Sequence, residues 1–161
     1  MKRALFIGRL QPLHKGHIYC VKKLLKSFDE VIIVVGSAQE SRTKKNPFTA
    51  GERVEMIRLS FKSELSRILI LPVPDINNHP YWVSHILSYV PKFDEVYSNN
   101  ELVLELFKEK GFSVKEIGLF KRKQYEGSKI RFLLNKSNHL WKKFVIKKVS
   151  TFIESLNLDC Y

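Results

Sequence analysis

Cysteine is almost absent from this 161-residue chain: Cys20 and Cys160 are its only two, far apart in sequence. A disulfide framework and a cysteine-rich zinc site are thereby excluded. Glycine is sparse as well, at seven residues. None of them builds the dinucleotide fingerprint G-x-G-x-x-G or the lysine loop G-x-x-x-x-G-K-[ST], so phosphate chemistry of the usual dehydrogenase or kinase type is not encoded. No apolar run approaches the roughly 20 residues needed to span a bilayer. The start, Met1-Lys2-Arg3-Ala4-Leu5-Phe6-Ile7-Gly8, has the basic opening of a signal peptide but far too short an apolar stretch. The expectation is a reduced, cytoplasmic, soluble protein without a membrane partner.

Acidic residues are also in deficit. Asp plus Glu number 16 against 28 Lys plus Arg, a formal charge of +12. Such an excess attracts polyanions, whether nucleic acid, membrane or phosphorylated small molecules. Part of it reads as a solvated surface, since Lys142, Lys143, Lys147 and Lys148 recur on the polar face of a terminal helix. The 44% hydrophobic and 27% charged content is that of a globular protein and argues against disorder. A chain of this length buries about two-thirds of its unfolded surface. The expected organisation is one domain over 1–161, with a sheet core over about 1–118 and a basic, helical remainder over about 119–161.

The rhythm along the chain is strand, then helix. Arg3 to Gly8 reads as a buried strand, and His17 to Phe28 has helical apolar spacing at Ile18, Val21, Leu24, Leu25 and Phe28. Val31-Ile32-Ile33-Val34-Val35-Gly36 is a β-branched run of the kind buried on both faces of a parallel sheet. A helix follows from Thr49 or Ala50 to about Phe61, with Val54, Ile57, Leu59 and Phe61 among its apolar positions. Arg67 to Val73 is a third strand, Tyr81 to Val90 a short helix, and Glu95 to Ser98 a fourth strand. Asn100 to Lys110 is a helix stopped by Gly111, and Phe112 to Ile117 a fifth strand. Ser128 to Asn135 reads as a helix. Leu140, Phe144, Val145, Val149, Phe152, Ile153 and Leu156 form one face of a last one. This alternation predicts an open parallel α/β sheet with right-handed crossovers, whose ligands bind beyond the carboxyl ends of the strands.

Gly8-Arg9-Leu10-Gln11-Pro12-Leu13-His14-Lys15-Gly16-His17 joins the first strand to the first helix. A helix N-terminus presents unpaired N–H groups and suits phosphate. Gly8 and Gly16 permit close approach to the backbone. His14 and His17, three apart, can face one ligand, and Arg9 and Lys15 add positive charge. No obvious nucleophile is present. Zinc would need a third protein ligand, which the loop does not offer. Cys20 lies three residues after His17 and could form a Cys–His pair, or be a small buried filler.

His14-Lys15-Gly16-His17 matches the H-x-G-H motif of a nucleotidyltransferase superfamily. The longer string from Gly8 to His17 resembles the archaeal-type nicotinamide mononucleotide adenylyltransferases. The resemblance continues at Gly36-Ser37-Ala38-Gln39, Asn46-Pro47-Phe48-Thr49-Ala50-Gly51-Glu52-Arg53, Asp75-Ile76, Trp82-Val83, Val96-Tyr97-Ser98 and Tyr125-Glu126-Gly127-Ser128-Lys129-Ile130-Arg131. It implies a Rossmann-like open parallel sheet of about five strands flanked by helices. It implies too that ATP and nicotinamide mononucleotide are joined into NAD and pyrophosphate, by direct in-line attack on the α-phosphorus.

By the same resemblance, His14, His17, Arg9 and Arg131 are the catalytic groups around the phosphates. Gly8, Gly16, Lys45, Ser98, Gly127 and Ser128 border ATP, while Ser37, Asp75 and Trp82 border the nicotinamide nucleotide. Taken alone, Ser128 reads as an N-cap, Arg131 as a solvated helix arginine, and Trp82 as a core residue. Mg²⁺ is expected with ATP, without a metal cage of protein ligands. Family members assemble into multimers, which implies a homo-oligomer. Three positions depart from the family: Lys45 for an arginine, His79 in the nicotinamide loop, and Asn99 for a glycine. Nicotinic acid mononucleotide or phosphopantetheine are alternative acceptors. An alternative of another class is a basic nucleic-acid-binding module resting on Lys121-Arg122-Lys123 and the later lysines, although no specific nucleic-acid motif accompanies them.

Overall fold

The computed structural model describes residues 1–116 and 125–156. Five parallel strands lie in the order β3-β2-β1-β4-β5. They are β1 Arg3–Gly8, β2 Glu30–Val35, β3 Ile68–Pro72, β4 Glu95–Ser98 and β5 Val114–Lys115. The helices are α1 Lys15–Leu24, α2 Ala50–Ser60, α3 His79–Leu87, α4 Glu101–Glu109, α5 Gly127–Asn135 and α6 Lys147–Ser155. Short 3-10 turns occupy Leu65–Arg67 and His139–Phe144. Among the described residues no helix is long and apolar enough to cross a membrane.

Alternation along the central strands decides the layers. Ala4, Phe6, Val31, Ile33 and Val35 enter one core, with Cys20, Val21, Met56, Ile57, Val149 and Ile153 from α1, α2 and α6. Leu5, Ile7, Ile32 and Val34 enter the other, with Val83 and Ile86 of α3 and Val103 and Phe107 of α4. Both faces of β1 and β2 are therefore covered, as their continuous apolar runs require. The chain moves from β1 to β2 on one side, and β4 later pairs with the other edge of β1. The switch point thus lies between β1 and β4, and its carboxyl-end crevice is where a ligand belongs.

The expected α/β sheet and its strand order along the chain are present, but several boundaries differ. Helix α1 begins two residues before the expected start, because His14 caps it. The His14 ring accepts from the His17 N–H while His17 accepts from the His14 N–H, closing a reciprocal box. Gly16 and His17 therefore lie inside the first turn. In α2 the fully buried positions are Arg53, Met56 and Ile57, whereas Val54 and Leu59 are only half-buried. Strand β5 is shorter than expected, with Ile117 outside the described residues. Gly111, at φ +82°, ends α4 in the left-handed conformation its residue type favours.

The single terminal helix expected from Leu140 to Leu156 is instead broken. Val145 and Ile146 are extended between the 3-10 turn and α6. Asn138 caps that turn by accepting from the Leu140 N–H, and buried Trp141 and Val145 anchor it to the core. Lys15 Nζ donates to the Lys143 carbonyl at the break, at 2.8 Å. Lys142 and Lys143 therefore do not share a helical face with Lys147 and Lys148. Gly118, Lys121-Arg122-Lys123 and Cys160 lie outside the described residues.

Phe107 joins the second core together, since its ring meets Trp82, Phe93 and Phe112 at centroid separations of 6.0, 6.3 and 5.5 Å. Truncating a fully buried phenylalanine removes its transfer energy and leaves a cavity. Phe107→Ala should therefore cost about 3–5 kcal/mol, read as a lowered urea midpoint with an unchanged slope.

Candidate active site

A cleft of about 680 Å³ opens at the carboxyl ends of β1, β2 and β4. Its floor is the turn after β1, with Gly8, Arg9, Leu10 and Gln11. One wall is Ser37, Pro74, Asp75 and Trp82, and the other is Tyr125, Glu126, Gly127, Ser128 and Arg131. Ser98, Asn99 and Asn100 close the end beyond β4. The last of these segments is more than 110 residues from the first in sequence, and only the sheet brings them together.

The floor is unusual for a loop, because Leu10, Gln11, Leu13 and His14 are all buried. Buried backbone must find partners, and side chains from distant elements provide them. Gln11 donates from its amide to the Phe48 carbonyl at 2.8 Å and accepts from the Phe48 N–H at 3.0 Å. Arg131 donates to the Gln11 carbonyl at 2.9 Å. Arg53 donates to the Arg9 carbonyl at 2.8 Å, the Gly36 carbonyl at 2.7 Å and the Ser37 carbonyl at 3.1 Å. Burial, and after it the Arg9 charge, bring the Arg53 pKa down to about 10, which leaves the guanidinium charged at neutral pH.

His14 and His17 stack with ring centroids 3.5 Å apart. Both Nδ1 atoms accept backbone N–H groups, so in each neutral ring the proton resides on Nε2. Burial takes the His14 pKa down to about 4, with the Arg131 charge acting in the same direction. Burial, and then His14 itself, hold His17 well below the ordinary histidine range. At neutral pH the pair thus offers two N–H donors with no charge of its own. The cations are Arg9 and Arg131, and burial lowers the Arg131 pKa. Helix α5 adds the N–H groups of its first turn, which holds no acidic residue. Anion binding is therefore built from donors, two guanidiniums and a helix end.

On the opposite wall the Asp75 carboxylate has Ser37 Oγ at 3.5 Å, and Gln39 grips its backbone through both N–H and carbonyl. Trp82 stands half-buried beside it, edge-on to Phe107. This wall pairs an acceptor of hydrogen bonds with an aromatic surface.

Of the expected site residues, Arg9, His14, His17, Arg131, Gly8, Ser98, Gly127, Ser128, Ser37, Asp75 and Trp82 all line the cleft. Gly16 does not. It is buried beneath His14 and Tyr125, where an added Cβ would lie 3.0 Å from His14 Nδ1 and 3.1 Å from Tyr125 Cβ. It packs closely under the histidine, with no room for a side chain. Lys45 is exposed and outside the lining, and Lys15 is committed to the Lys143 carbonyl. Ser98 is buried with its hydroxyl already used, donating to the Ile7 carbonyl and accepting from the Asn100 N–H. Ser128 is not the N-cap of α5. That position is Glu126, which leaves the Ser128 hydroxyl exposed at the cleft. Arg131 is half-buried rather than solvated.

Gln11 and Tyr125 line the cleft and Arg53 lies buried beneath it, although the motifs that contain them give no sign of a role for these three. An arginine on a helix reads as solvent-facing, and only its zero exposure reveals otherwise. Burial pushes the Cys20 thiol up to about 11, so it is a filler and no nucleophile. Among the described residues no cluster of three His, Cys, Asp or Glu side chains is placed to hold a metal ion.

Residues 5–153 match the cytidylyltransferase-like family model, and the chain belongs to that family of nucleotide-transferring proteins. Its relatives define the branch. The nicotinamide-nucleotide adenylyltransferase of Saccharolobus solfataricus is 45% identical over 162 residues, covering 99% of this chain and 94% of that protein. That of Ignicoccus hospitalis is 46% identical over 159 residues, covering 97% and 93%. A bifunctional NMN adenylyltransferase/ADP ribose pyrophosphatase from Francisella tularensis shares the fold with a TM-score of 0.75 at 17% identity. That match covers 98% of this chain and 51% of the Francisella chain.

The histidine pair makes stability pH-dependent. As pH falls through 6.5 the unfolded chain takes up a proton at His14, whereas the folded chain does so only near pH 4. Unfolding thus binds protons in this window, and stability is lost as pH drops across it. The 6.5-to-4 interval corresponds to roughly 3 kcal/mol from His14. His14→Asn keeps an N-capping oxygen but cannot titrate. Between about pH 6.5 and 4 the total loss of unfolding free energy, measured by urea titration at each pH, should be smaller by roughly 3 kcal/mol in His14→Asn.

Proposed function

We propose that the protein is an adenylyltransferase that joins ATP to nicotinamide mononucleotide, giving NAD and pyrophosphate. One observation carries this reading: a single cleft opposes an anion-binding wall to a wall bearing a carboxylate and an aromatic face. The degree of identity to the adenylyltransferase relatives supports the choice of reaction.

In this reading the triphosphate lies along His14, His17, Arg9, Arg131 and the first turn of α5, with Ser128 as a further donor. The mononucleotide lies against Ser37, Asp75 and Trp82. A phosphate oxygen of the mononucleotide attacks the α-phosphorus in line. A new P–O bond forms as the bond to the β-phosphate bridging oxygen breaks, and pyrophosphate leaves with the electron pair. The attacking oxygen is already anionic, so no general base is required. That agrees with two histidines held neutral and oriented as donors. Catalysis is then positioning together with stabilisation of charge as it moves towards the leaving group. Mg²⁺ bound to ATP would neutralise part of the triphosphate. The carboxylates on the cleft, Asp75 and Glu126, stand on separate walls, which fits an ion held through phosphate oxygens. A homo-oligomer without specific nucleic-acid binding completes the reading, and Tyr81 and Phe132, both exposed, are apolar surface such an assembly could cover.

The direct experiment incubates the protein with ATP, Mg²⁺ and either the amide or the acid mononucleotide, and identifies the dinucleotide by mass. NAD formation is expected, and no dinucleotide from either acceptor would overturn the reading. His17→Ala should lower turnover ~100- to 1000-fold, as losing one preorganised donor does, with a smaller effect on the acceptor KM. Trp82→Ala should raise the mononucleotide KM about fivefold, since an aromatic contact to a cationic pyridinium is worth about 1 kcal/mol. The ATP KM should stay near its normal value. Equal damage to both constants with a collapsed Tm would instead make Trp82 a core residue.

A further inference from the structure

We propose that Arg53 is a positioning residue for the transfer: its buried guanidinium ties the turn after β1 to the turn after β2, and so sets the phosphate-binding floor of the cleft, with Arg9, against the wall of Ser37 and Asp75 that takes the acceptor. The proposal rests on the adenylyl-transfer reading above, and its test is chosen to remain decisive if that reading fails.

Arg53 is wholly buried and is not among the residues that line the cleft. Its four hydrogen bonds all end on backbone carbonyls. Nη1 reaches Arg9 and Gly36, Nη2 reaches Ser37, and Nε reaches Thr49 in its own N-terminal turn. Three of these carbonyls therefore belong to the two turns at the switch-point end of the sheet. No carboxylate among the described residues lies within ion-pair distance of Arg53. Glu52, its neighbour in sequence, is bound instead by Arg42 and the Thr49 N–H.

The held carbonyls flank the two strained points of the cleft. Leu10, which follows the Arg9 carbonyl, has φ 52°, and Ser37, whose own carbonyl is held, has φ 47°. Side chains other than glycine rarely stay in this left-handed region unless the surroundings hold them there. Within a trans peptide the N–H points opposite to the carbonyl. Drawing the Arg9 and Gly36 carbonyls inward therefore aims the Leu10 and Ser37 N–H groups away from Arg53, and both residues line the cleft. The same grip fixes Arg9 on one side and Ser37, partner of Asp75, on the other. Only a planar fork with several donors can span these carbonyls; an ammonium is a point charge and cannot.

The test compares full-length Arg53→Lys and Arg53→Gln with the unaltered protein in three measurements: thermal unfolding, the ATP dissociation constant by calorimetry, and kcat with both KM values. Arg53→Lys should fold, bind ATP about tenfold more weakly, and lose about 100-fold in kcat, the scale of a small misplacement of reactants. Its deficits relative to the unaltered protein should grow between about pH 7 and 8.5, because a buried ammonium loses its proton well before the Arg53 guanidinium does. Arg53→Gln, which has no charge, should show the ATP defect without that added pH dependence. A lowered Tm with normal ATP affinity, kcat and pH profile would overturn the proposal. So would failure of both variants to fold, which would assign Arg53 to the fold alone. If the unaltered protein makes no dinucleotide, the adenylyl-transfer reading falls, and the ATP affinities still decide the role of Arg53.

Discussion

The burial of the turn after β1 is the constraint on which the rest of the structure depends. Connecting loops ordinarily run over the surface, where water satisfies their backbone. Here Leu10 and Leu13 carry the turn into the core, and its Arg9 and Gln11 carbonyls are met by protein donors in place of water. Gln11 answers Phe48, Arg131 answers the Gln11 carbonyl, and Arg53 answers the Arg9 carbonyl. Those partners come from the segment before α2, from α5 and from α2 itself. Satisfying one buried loop thus docks three distant pieces of chain around one crevice. No buried side-chain polar atom among the described residues is left without a hydrogen-bond partner.

The electrostatics of the cleft follow from the same burial. The histidine that caps α1 and the one in its first turn would be cationic donors at low pH if exposed. With His14 buried, His17 half-buried and the rings stacked on each other, they remain neutral at neutral pH, with their Nδ1 atoms spent on the helix cap. The positive charge is left to arginines, which keep it at any physiological pH. Without a ligand the cleft therefore presents neutral N–H donors beside the fixed charge of two arginines. The wall of Asp75 and Trp82 is built differently: Gln39 holds the Asp75 backbone, and Phe107 supports Trp82 from the core. Each wall is braced by residues that do not line it.

Much of the fold was legible before any coordinates. The run from Val31 to Val35 is apolar on both faces, and both faces are covered. Gly111 stops α4 because its positive φ suits glycine. The terminal segment was not legible, because helical apolar spacing continues across Val145 and Ile146 although the backbone there is extended. Spacing records which side chains are buried and not whether the hydrogen-bond ladder between them is intact. Within the cleft, the H-x-G-H turn and the Gly127–Arg131 segment stood out as motifs. Lys45 and Gly16 lie outside the lining of the cleft, which the motifs did not reveal, since a motif match carries no information on which way a side chain points.

By itself the sequence determined the α/β alternation, the strands with two buried faces, and the residue types available for holding phosphate. These depend on local pattern and on chemistry that each residue carries wherever it lies. Only the tertiary structure decided which donors converge, which histidine nitrogens hold their protons, and that Arg53 is internal. The reason is that burial and hydrogen-bond partnership are relations between segments as far apart as Gln11 and Arg131. No window along the chain contains both ends of such a contact.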